Sequence, residues 1–218
     1  MKLLFLLIIP SICFSQNSYT KLTKLTKSEF EKAVNDSIAK LDTPELNTFL
    51  TTLKNSYKTD IKPFSNKLIN KFENTSGQLE MHSLLQLLLD LKTDTAAVEN
   101  ILNNRKEVWD NGQWAEKFWK TIRQNKLKVK EGSYYTVDAT GQKRYNLRLF
   151  LEDKVANNEI GATPLLFINS TLTDFPINQL YETLQKLDIK DISIIPIDKS
   201  IDLFGSKGTD GMLKVLTR

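Results

Sequence analysis

Apolar residues recur every three or four positions between Lys24 and Lys126, which is the spacing of amphipathic α-helices. Turn-forming residues interrupt the pattern at intervals, so we expect about six short helices. The first is predicted to begin at Thr26 or Ser28, because Thr26 and Glu29 form the capping-box pattern. The apolar stripes of the six predicted helices begin at Phe30, Leu46, Phe64, Leu79, Val98 and Trp114.

Two of these helices have further signals in their sequence. The second is predicted to start with Thr43 as its cap and Pro44 at the first helical position. The fourth, from Leu79 to Leu91, is apolar on more than one face, which predicts a central helix with neighbours on several sides. None of the hallmark residues of tetratricopeptide repeats recurs in register. A bundle and a small array of helical hairpins therefore both stay open.

The pattern changes after Lys126. Residues 127–129 and 134–137 are typical of strands, and a turn is predicted at 138–141. We therefore expect a domain boundary near residue 130. The stretch 146–155 alternates like a strand at its start, but its apolar positions continue along one helical face, which favours a helix.

The last third of the chain predicts a small α/β unit. Leu165–Asn169 is a continuous apolar run typical of a buried strand, and Ile177–Leu187 steps like a helix. A second strand is predicted at Ile189–Ile197 and a third at Met212–Thr217, joined by a tight turn. The fold class is therefore α+β. Its two predicted domains are a helical one, 16–130, and an α/β one, 131–218.

The N-terminus has the pattern of a secretory signal peptide, with Lys2, an apolar run from Leu3 to Ile9 and a small residue at Ser15. We predict cleavage after Ser15, so that residues 1–15 are removed. The apolar run is too short to span a bilayer, which takes about 20 residues. No transmembrane segment is expected after cleavage. A lipoprotein signal ending at Cys13 is the alternative, although Ile12 stands where that signal has a small residue.

Composition narrows the classes of partner. Loss of Lys2 lowers the formal net charge from +4 to +3, and the charged residues are interspersed. There is no dense basic block of the kind that binds nucleic acid, so no nucleic-acid partner is expected. Because the only cysteine leaves with the signal peptide, the mature chain is expected to depend on its apolar core and not on disulfides.

Three glycines near the C-terminus, Gly205, Gly208 and Gly211, could suggest a phosphate-binding loop. Such a loop follows a strand, precedes a helix and has Lys-Ser or Lys-Thr directly after its last glycine. Here a strand is expected to follow, and Met212 comes after Gly211. We therefore expect glycines that supply positive φ angles in consecutive tight turns.

The same segment carries a longer pattern. The apolar strand Thr163–Asn169 is followed by the Asp-Ile strand Asp191–Lys199 and then by the glycine turn Phe204–Gly211. In this order they resemble the plug domain of TonB-dependent outer-membrane receptors, especially the glycan-importing branch. The matching residues are Asp191, Ile192, Ile194, Phe204, Gly205, Ser206, Lys207, Gly208 and Gly211.

The resemblance covers residues 161–218 and implies an α/β fold in the cell envelope of a Gram-negative bacterium. Asn169 and Ser170 stand where the family has Asp-Gly, and Pro196 interrupts the second predicted strand, where a missing N–H disfavours a central position. Receptor barrels need many strands of roughly 10 residues. The chain stops at the last plug-like strand, so we do not expect transport through it alone.

Catalytic chemistry has little support in the sequence. His82 is the only histidine, so neither a histidine-based metal site nor a serine triad has its usual partners. The carboxylates of the helical region are scattered, as on solvated helix faces. We therefore expect no cofactor, no metal and no enzymatic activity. His82 is predicted to be a partly buried packing residue.

Trp109, Trp114 and Trp119 form the one aromatic cluster that could stack on a sugar. Aromatic residues at near-helical spacing more often belong to a core.

The leading prediction is a non-enzymatic envelope protein whose plug-like module recognises or assembles with a protein partner. In one version an edge of the small sheet pairs with a partner strand, which a proline at Leu213 would disrupt. The alternative is a glycan-binding, peptide-binding or hydrolytic envelope protein that uses the helical domain and its tryptophans.

Overall fold

The structure is a computed structural model that describes residue 22 and residues 24–218. The predicted signal peptide, the cleavage site after Ser15 and the lipoprotein alternative at Cys13 lie outside the described residues, so they stay predictions. The chain has the predicted α+β fold, with a helical part followed by a region of small sheets.

Within residues 24–218, seven α-helices precede the first strand. Helices α1 to α7 are Lys27–Lys40, Thr43–Asn55, Ser65–Asn74, Gln78–Asp90, Thr95–Asn104, Lys106–Trp109 and Ala115–Gln124. A 3₁₀ turn at Lys62–Phe64 leads into α3. The later elements are, in chain order, β1 Tyr135–Val137, β2 Lys143–Tyr145, α8 Leu147–Ala156, β3 Leu165–Ile168, β4 Thr171–Leu172, α9 Leu180–Gln185, β5 Ile189–Ile195, α10 Ile197–Phe204 and β6 Met212–Thr217.

The chain divides into two compact units between Val98 and Glu99. The sequence predicted a boundary near residue 130, where the strand pattern begins. Residues 99–130 belong instead with the sheets, because side chains of α7 pack on the first hairpin. The Trp119 and Tyr135 rings are 6.3 Å apart, and Arg123 donates to the carbonyl of Val137 at 3.0 Å.

Helix starts in the first unit follow their capping residues. Thr26 and Glu29 make the reciprocal hydrogen bonds of a capping box at the start of α1, as predicted. At α2 the cap is Asp42 and not Thr43, since Asp42 Oδ1 accepts from Glu45 N at 3.0 Å. A carboxylate satisfies the free N–H and also complements the positive end of the helix dipole.

The first four helices form two stacked pairs. Helix α1 packs against α3, α2 packs against α4, and α3 packs against α4. The Phe30 and Phe64 rings meet edge to face at 6.4 Å, and Lys71 Nζ donates to the carbonyl of Leu41 at 3.0 Å. Helices at matching places in the two pairs are therefore neighbours, which is how helical hairpin arrays pack.

A repeat of 34 residues underlies this stacking. Equivalent positions in or directly before α1, α3 and α5 are Phe30, Phe64 and Val98, followed one turn later by Val34, Leu68 and Leu102. After α2, α4 and α7 the equivalent positions are Lys58, Lys92 and Lys126. All of the apolar ones are buried except Phe30, which is half-buried. The hallmark residues of tetratricopeptide repeats do not recur at this spacing. The chain has instead its own 34-residue repeat of apolar and lysine positions.

The second unit contains a two-stranded antiparallel hairpin, β1–β2, and a four-stranded sheet in the order β4-β3-β6-β5. Strand β6 lies between β3, to which it is parallel, and β5, to which it is antiparallel. Its residue Leu213 is paired with Leu166 on one side and with Ile194 on the other. One face of this sheet packs on α8 and α9 and forms the core. The buried residues of this core are Phe150, Ile160, Leu166, Leu184, Ile189, Ile192, Leu213 and Val215.

Some predicted elements of the second unit are present and others are wrong. The helix predicted at 146–155 is confirmed as α8, but 127–129 is not a strand. Pro196 does not interrupt a strand. It follows the last residue of β5 and is the N-cap of α10, a position that does not need its N–H. Helix α10, and the short edge strand β4, were not predicted.

Within residues 22 and 24–218, no helix combines the length and the apolar character that crossing a bilayer requires.

Candidate functional site

The plug-like glycine segment is a packed turn that follows α10. Phe204 ends the helix, and its ring lies 5.8 Å from that of Phe167 on β3. The segment Gly205–Gly208 then forms a 3₁₀ turn, in which Ser206 and Lys207 are exposed. This segment therefore ends α10, and the contact between Phe204 and Phe167 packs that end of the helix on the sheet.

Two of its three glycines have the predicted positive φ angles, +59° at Gly205 and +76° at Gly211. Gly208 is required for a different reason. A Cβ atom there would lie 2.2 Å from the backbone oxygen of Ser200, so only glycine fits against α10. The prediction of consecutive positive-φ turns is thus right at two positions and wrong at Gly208.

Asp191, the acidic residue of the plug-like pattern, belongs to a buried polar cluster. Its Oδ1 atom accepts from Tyr145 Oη at 3.0 Å and lies 3.4 Å from Lys143 Nζ. Its Oδ2 atom accepts from the backbone N of Gly112 at 2.9 Å. Asp191 therefore connects β5 to β2 and to the loop between α6 and α7. Its neighbour Ile192 points into the core.

Lys143 is the centre of this cluster. Only 2% of its side chain is exposed, and the side chain of Asp110, 3.0 Å away, is 6% exposed. Besides the two carboxylates, Lys143 Nζ donates to the backbone oxygen of Asp110 at 2.7 Å. Lys143 Nζ thus donates to Asp110 O and Asp191 Oδ1 and has Asp110 Oδ1 within ion-pair distance. The ammonium group is enclosed by these protein acceptors.

Aromatic donors complete the surroundings of Asp110. Trp119 Nε1 donates to its Oδ1 atom at 2.6 Å, and the hydroxyl of Tyr135 donates to Oδ2. Burial, followed by the charge of Asp110, raises the pKa of Tyr135 well above its usual range. Burial and the charge of Asp191 do the same to the pKa of Tyr145. Both phenols therefore stay protonated and donate to carboxylates.

The cluster has the composition of an acid–base site but the geometry of a structural one. Its charges are enclosed, and each has protein partners that satisfy it. Buried ions of opposite charge that satisfy one another hold segments of the fold together and fix their register. Here they link the α6–α7 loop, the β1–β2 hairpin and β5.

The tryptophans do not make a common binding surface. Trp109 and Trp119 are fully buried, with ring centroids 5.2 Å apart, and Trp109 Nε1 donates to the carbonyl of Leu102 at 2.9 Å. Trp114 is half-buried, and Lys117 Nζ lies 4.1 Å from its ring centroid. A sugar platform built from all three side chains is therefore ruled out by their burial.

His82 is half-buried on α4, the location predicted for a packing residue. In the part of the chain that the structure describes, no three His, Cys, Asp or Glu side chains come close enough to hold a metal ion.

A groove of about 400 Å³ opens beside the edge of the four-stranded sheet. Leu172 of β4 and Ile177 line it and are largely exposed, at 52% and 75%. Lys207 of the plug-like segment lies on the same groove. The remaining lining residues are Thr163, Pro164, Leu165, Leu166, Thr173, Asp174 and Phe175. Nine of the ten lining residues lie within 163–177, and the groove leaves no signal in the sequence because it depends on how this segment folds back at the sheet edge beside Lys207.

No protein-family profile, curated protein or solved structure matches the chain. The resemblance to receptor plug domains therefore depends on the quoted residues alone.

Proposed function

We propose that this protein is a non-enzymatic, exported protein of the cell envelope that recognises a protein partner. The stacking of α1 and α2 on α3 and α4 with a 34-residue period is the observation that carries the proposal. Helix pairs repeated in this way build a continuous surface, and proteins built so commonly bind extended segments of other proteins.

The C-terminal unit supplies a second exposed surface. Leu172 and Ile177 are large apolar side chains beside an open groove, and β4 is an edge strand of only two residues. Exposed apolar residues grouped at a groove are typical of protein contact sites. This observation supports recognition by the plug-like module as well.

The version in which a partner strand pairs with β6 is not retained. Leu213 is fully buried and its strand has a neighbour on both sides, so β6 offers no free edge. Proline at Leu213 would remove a ladder hydrogen bond from the centre of the sheet and would unfold the unit. That substitution does not test recognition. An edge contact would have to use β4 or the outer side of β5.

The proposed compartment depends on the N-terminal sequence pattern, with its basic start, apolar run and small residue before Gln16. A C-terminally tagged chain should therefore be recovered from the envelope fraction of its native host without residues 1–15. Mass spectrometry of the purified protein gives its first residue. A tagged chain that retains Met1 and is recovered with cytoplasmic proteins contradicts the proposed location.

Recognition is tested by crosslinking in intact cells followed by purification through the tag. We expect one or a few envelope proteins at amounts comparable to the tagged chain. Excess untagged chain should compete them away, because a specific site is saturable. Purification of the tagged chain alone, or of a set of proteins that competition does not change, overturns the proposed function.

A further inference from the structure

A second cleft, of about 460 Å³, lies in the first unit near the C-terminal ends of α2 and α4. Its lining includes Lys54 and Lys58 from the end of α2, Lys62 from the 3₁₀ turn and Lys92 from the end of α4. The other lining residues are Thr59, Asp60, Ile61, Asp90 and Leu91. Four lysines and two aspartates give this cleft a formal charge of +2.

Within the described residues, none of the four ammonium groups makes an ion pair or a hydrogen bond with a protein group. All four side chains are exposed. This differs from Lys71, which faces Glu80 at 3.5 Å in the same unit. The positive charge of the cleft is thus available to a ligand.

Two of the lysines have a left-handed backbone conformation, which glycine adopts more easily than lysine. Lys58 and Lys92 have φ angles of +53° and +51°, in the left-handed region. After each of them, the next residue donates its N–H to a carbonyl of the last helical turn, at 3.0 Å for Thr59 and 3.2 Å for Thr93. This is a helix-terminating turn in which glycine is usual, because a Cβ atom strains the left-handed backbone.

Lysine therefore recurs at a position where the fold prefers glycine. Lys126 has the same conformation after α7, with φ of +53°, so the recurrence follows the 34-residue period. A lysine inside the last helical turn would complement the helix dipole equally well and without this strain. Helix termination thus explains the turn but does not explain the choice of side chain.

We propose that the cleft bounded by Lys54, Lys58, Lys62 and Lys92 binds an acidic extended segment of a partner protein. This deepens the proposed function, on which it rests, by assigning a chemistry to the segment that the helix pairs recognise. Carboxylates of the segment pair with the lysines that flank the cleft.

The two aspartates favour a peptide over a compact anion. Asp60 and Asp90 lie among the lysines and would repel a phosphate group that contacts all four ammonium groups. A peptide carries acidic side chains at intervals and has backbone N–H groups between them, which can donate to these aspartates. Acidic side chains spaced along a backbone with N–H donors match the mixed lining, whereas a phosphate group, free or in a lipid headgroup, concentrates its negative charge at one point between the lysines and the aspartates.

The probe is a decapeptide of alternating glutamate and alanine with a neutral dye, and binding to the mature full-length chain is followed by fluorescence anisotropy. A decapeptide of alternating glutamine and alanine is the uncharged control. We expect the acidic peptide to bind, the control not to bind, and affinity to fall as salt is raised. Inorganic phosphate and vesicles of phosphatidylglycerol in phosphatidylcholine are tested as competitors and are expected to have little effect.

The double variant K58G/K92G separates binding from folding. Glycine suits both left-handed positions, so the variant should melt at the same temperature as the parent chain or higher. We expect its affinity for the acidic peptide to fall about tenfold, since two charged contacts are lost. K126G is the control, because it removes one of the recurring lysines from the same backbone conformation at a residue that does not line the cleft. Its affinity should change less than about twofold.

Four results overturn the inference. They are absence of peptide binding at about 1 mM, equal losses for K126G and the double variant, unchanged affinity in the double variant, and stronger competition by phosphate or vesicles than by unlabelled peptide. The proposed function is judged separately. If crosslinking captures an envelope partner and K58G/K92G captures it equally well, recognition stands and the acidic-segment site is wrong.

Discussion

Lys143 Nζ lies 3.0 Å from Asp110 Oδ1, and both side chains are almost completely buried. The two residues come from the β1–β2 hairpin and from the loop that precedes α7. A buried pair of this kind contributes less than its Coulomb attraction, because both ions lose their hydration. Removing one partner costs much more stability, because the other ion then remains buried without a counter-ion.

Replacing Lys143 by methionine should therefore destabilise the protein by about 3–5 kcal/mol. The loss arises because Asp110 and Asp191 would share a buried site without a cation. Guanidinium denaturation followed by circular dichroism measures it. The double variant K143M/D110N should lose less than the sum of the two single variants, because it removes a charge of each sign. A loss below about 1 kcal/mol for K143M would show that the ion pair does not hold the hairpin.

Alkaline pH should weaken the fold through the two buried tyrosines. Their pKa values are raised in the folded protein by burial and by neighbouring carboxylates, whereas an unfolded tyrosine titrates at about 10. Below that pH both states are protonated and the stabilisation is fully present. Above it, only the unfolded state loses protons, so the free energy of unfolding falls by up to about 1.4 kcal/mol per pH unit for each tyrosine.

The measurement is denaturant unfolding between about pH 8 and pH 11. Y135F and Y145F should each lower the alkaline slope relative to the parent chain, while the slopes below about pH 9 stay parallel. An unchanged slope in both variants would mean that other groups cause the alkaline loss.

Gly208 and Gly205 provide a matched pair of alanine substitutions. At Gly208 an added Cβ would lie 2.2 Å from the Ser200 oxygen, so G208A must move α10 and should cost about 2–3 kcal/mol. At Gly205 the surrounding space is open, so G205A should cost only the backbone strain of φ +59° and ψ −138°, about 1–3 kcal/mol, and should leave α10 in place. Thermal melting measures both losses. A G208A variant as stable as the parent chain would contradict the tight packing of Gly208 on α10.

Glycine in place of Lys58 or Lys92 should stabilise the first unit by about 0.5–1 kcal/mol per site. The gain comes from removal of the left-handed strain at φ of +53° and +51°. Urea unfolding of the single variants measures it. K54G is the control, because Lys54 lies within α2, where glycine should cost about 1 kcal/mol.

Trp114 should be the tryptophan that an aqueous quencher reaches. Trp109 and Trp119 are fully buried, whereas Trp114 is half-buried with Lys117 above its ring. Iodide should therefore quench part of the native fluorescence, and W114F should abolish most of that part. Quenching that persists in W114F would mean that the buried tryptophans are accessible.

Local signals in the sequence were sufficient where one short segment decides the structure. The capping box at Thr26 and Glu29 fixed the start of α1, and the continuous helical face at 146–155 correctly favoured α8. Pro196 by itself does not distinguish the two elements, because a residue without an N–H suits either the end of a strand or the start of a helix. Only the hydrogen bonding of its neighbours decides between them.

The polar cluster could not be predicted from such signals. Lys143 interacts with residues 33 and 48 positions away, and a lysine in a three-residue strand normally faces water. Its burial depends on two aspartates that approach only after folding. The 34-residue period, in contrast, was present in the sequence. The residues of tetratricopeptide repeats do not reveal it, because this period is carried by different positions, such as Phe30, Phe64 and Val98.

The shared period also has an evolutionary consequence. Each helix pair ends in the same kind of turn, and a matching helix can continue the stack. A duplication of residues 59–92 would therefore lengthen the protein by one complete pair and place one more lysine at the end of a second helix. The length of the surface, and the number of cations along it, can thus change by whole units while the contacts inside each unit are conserved.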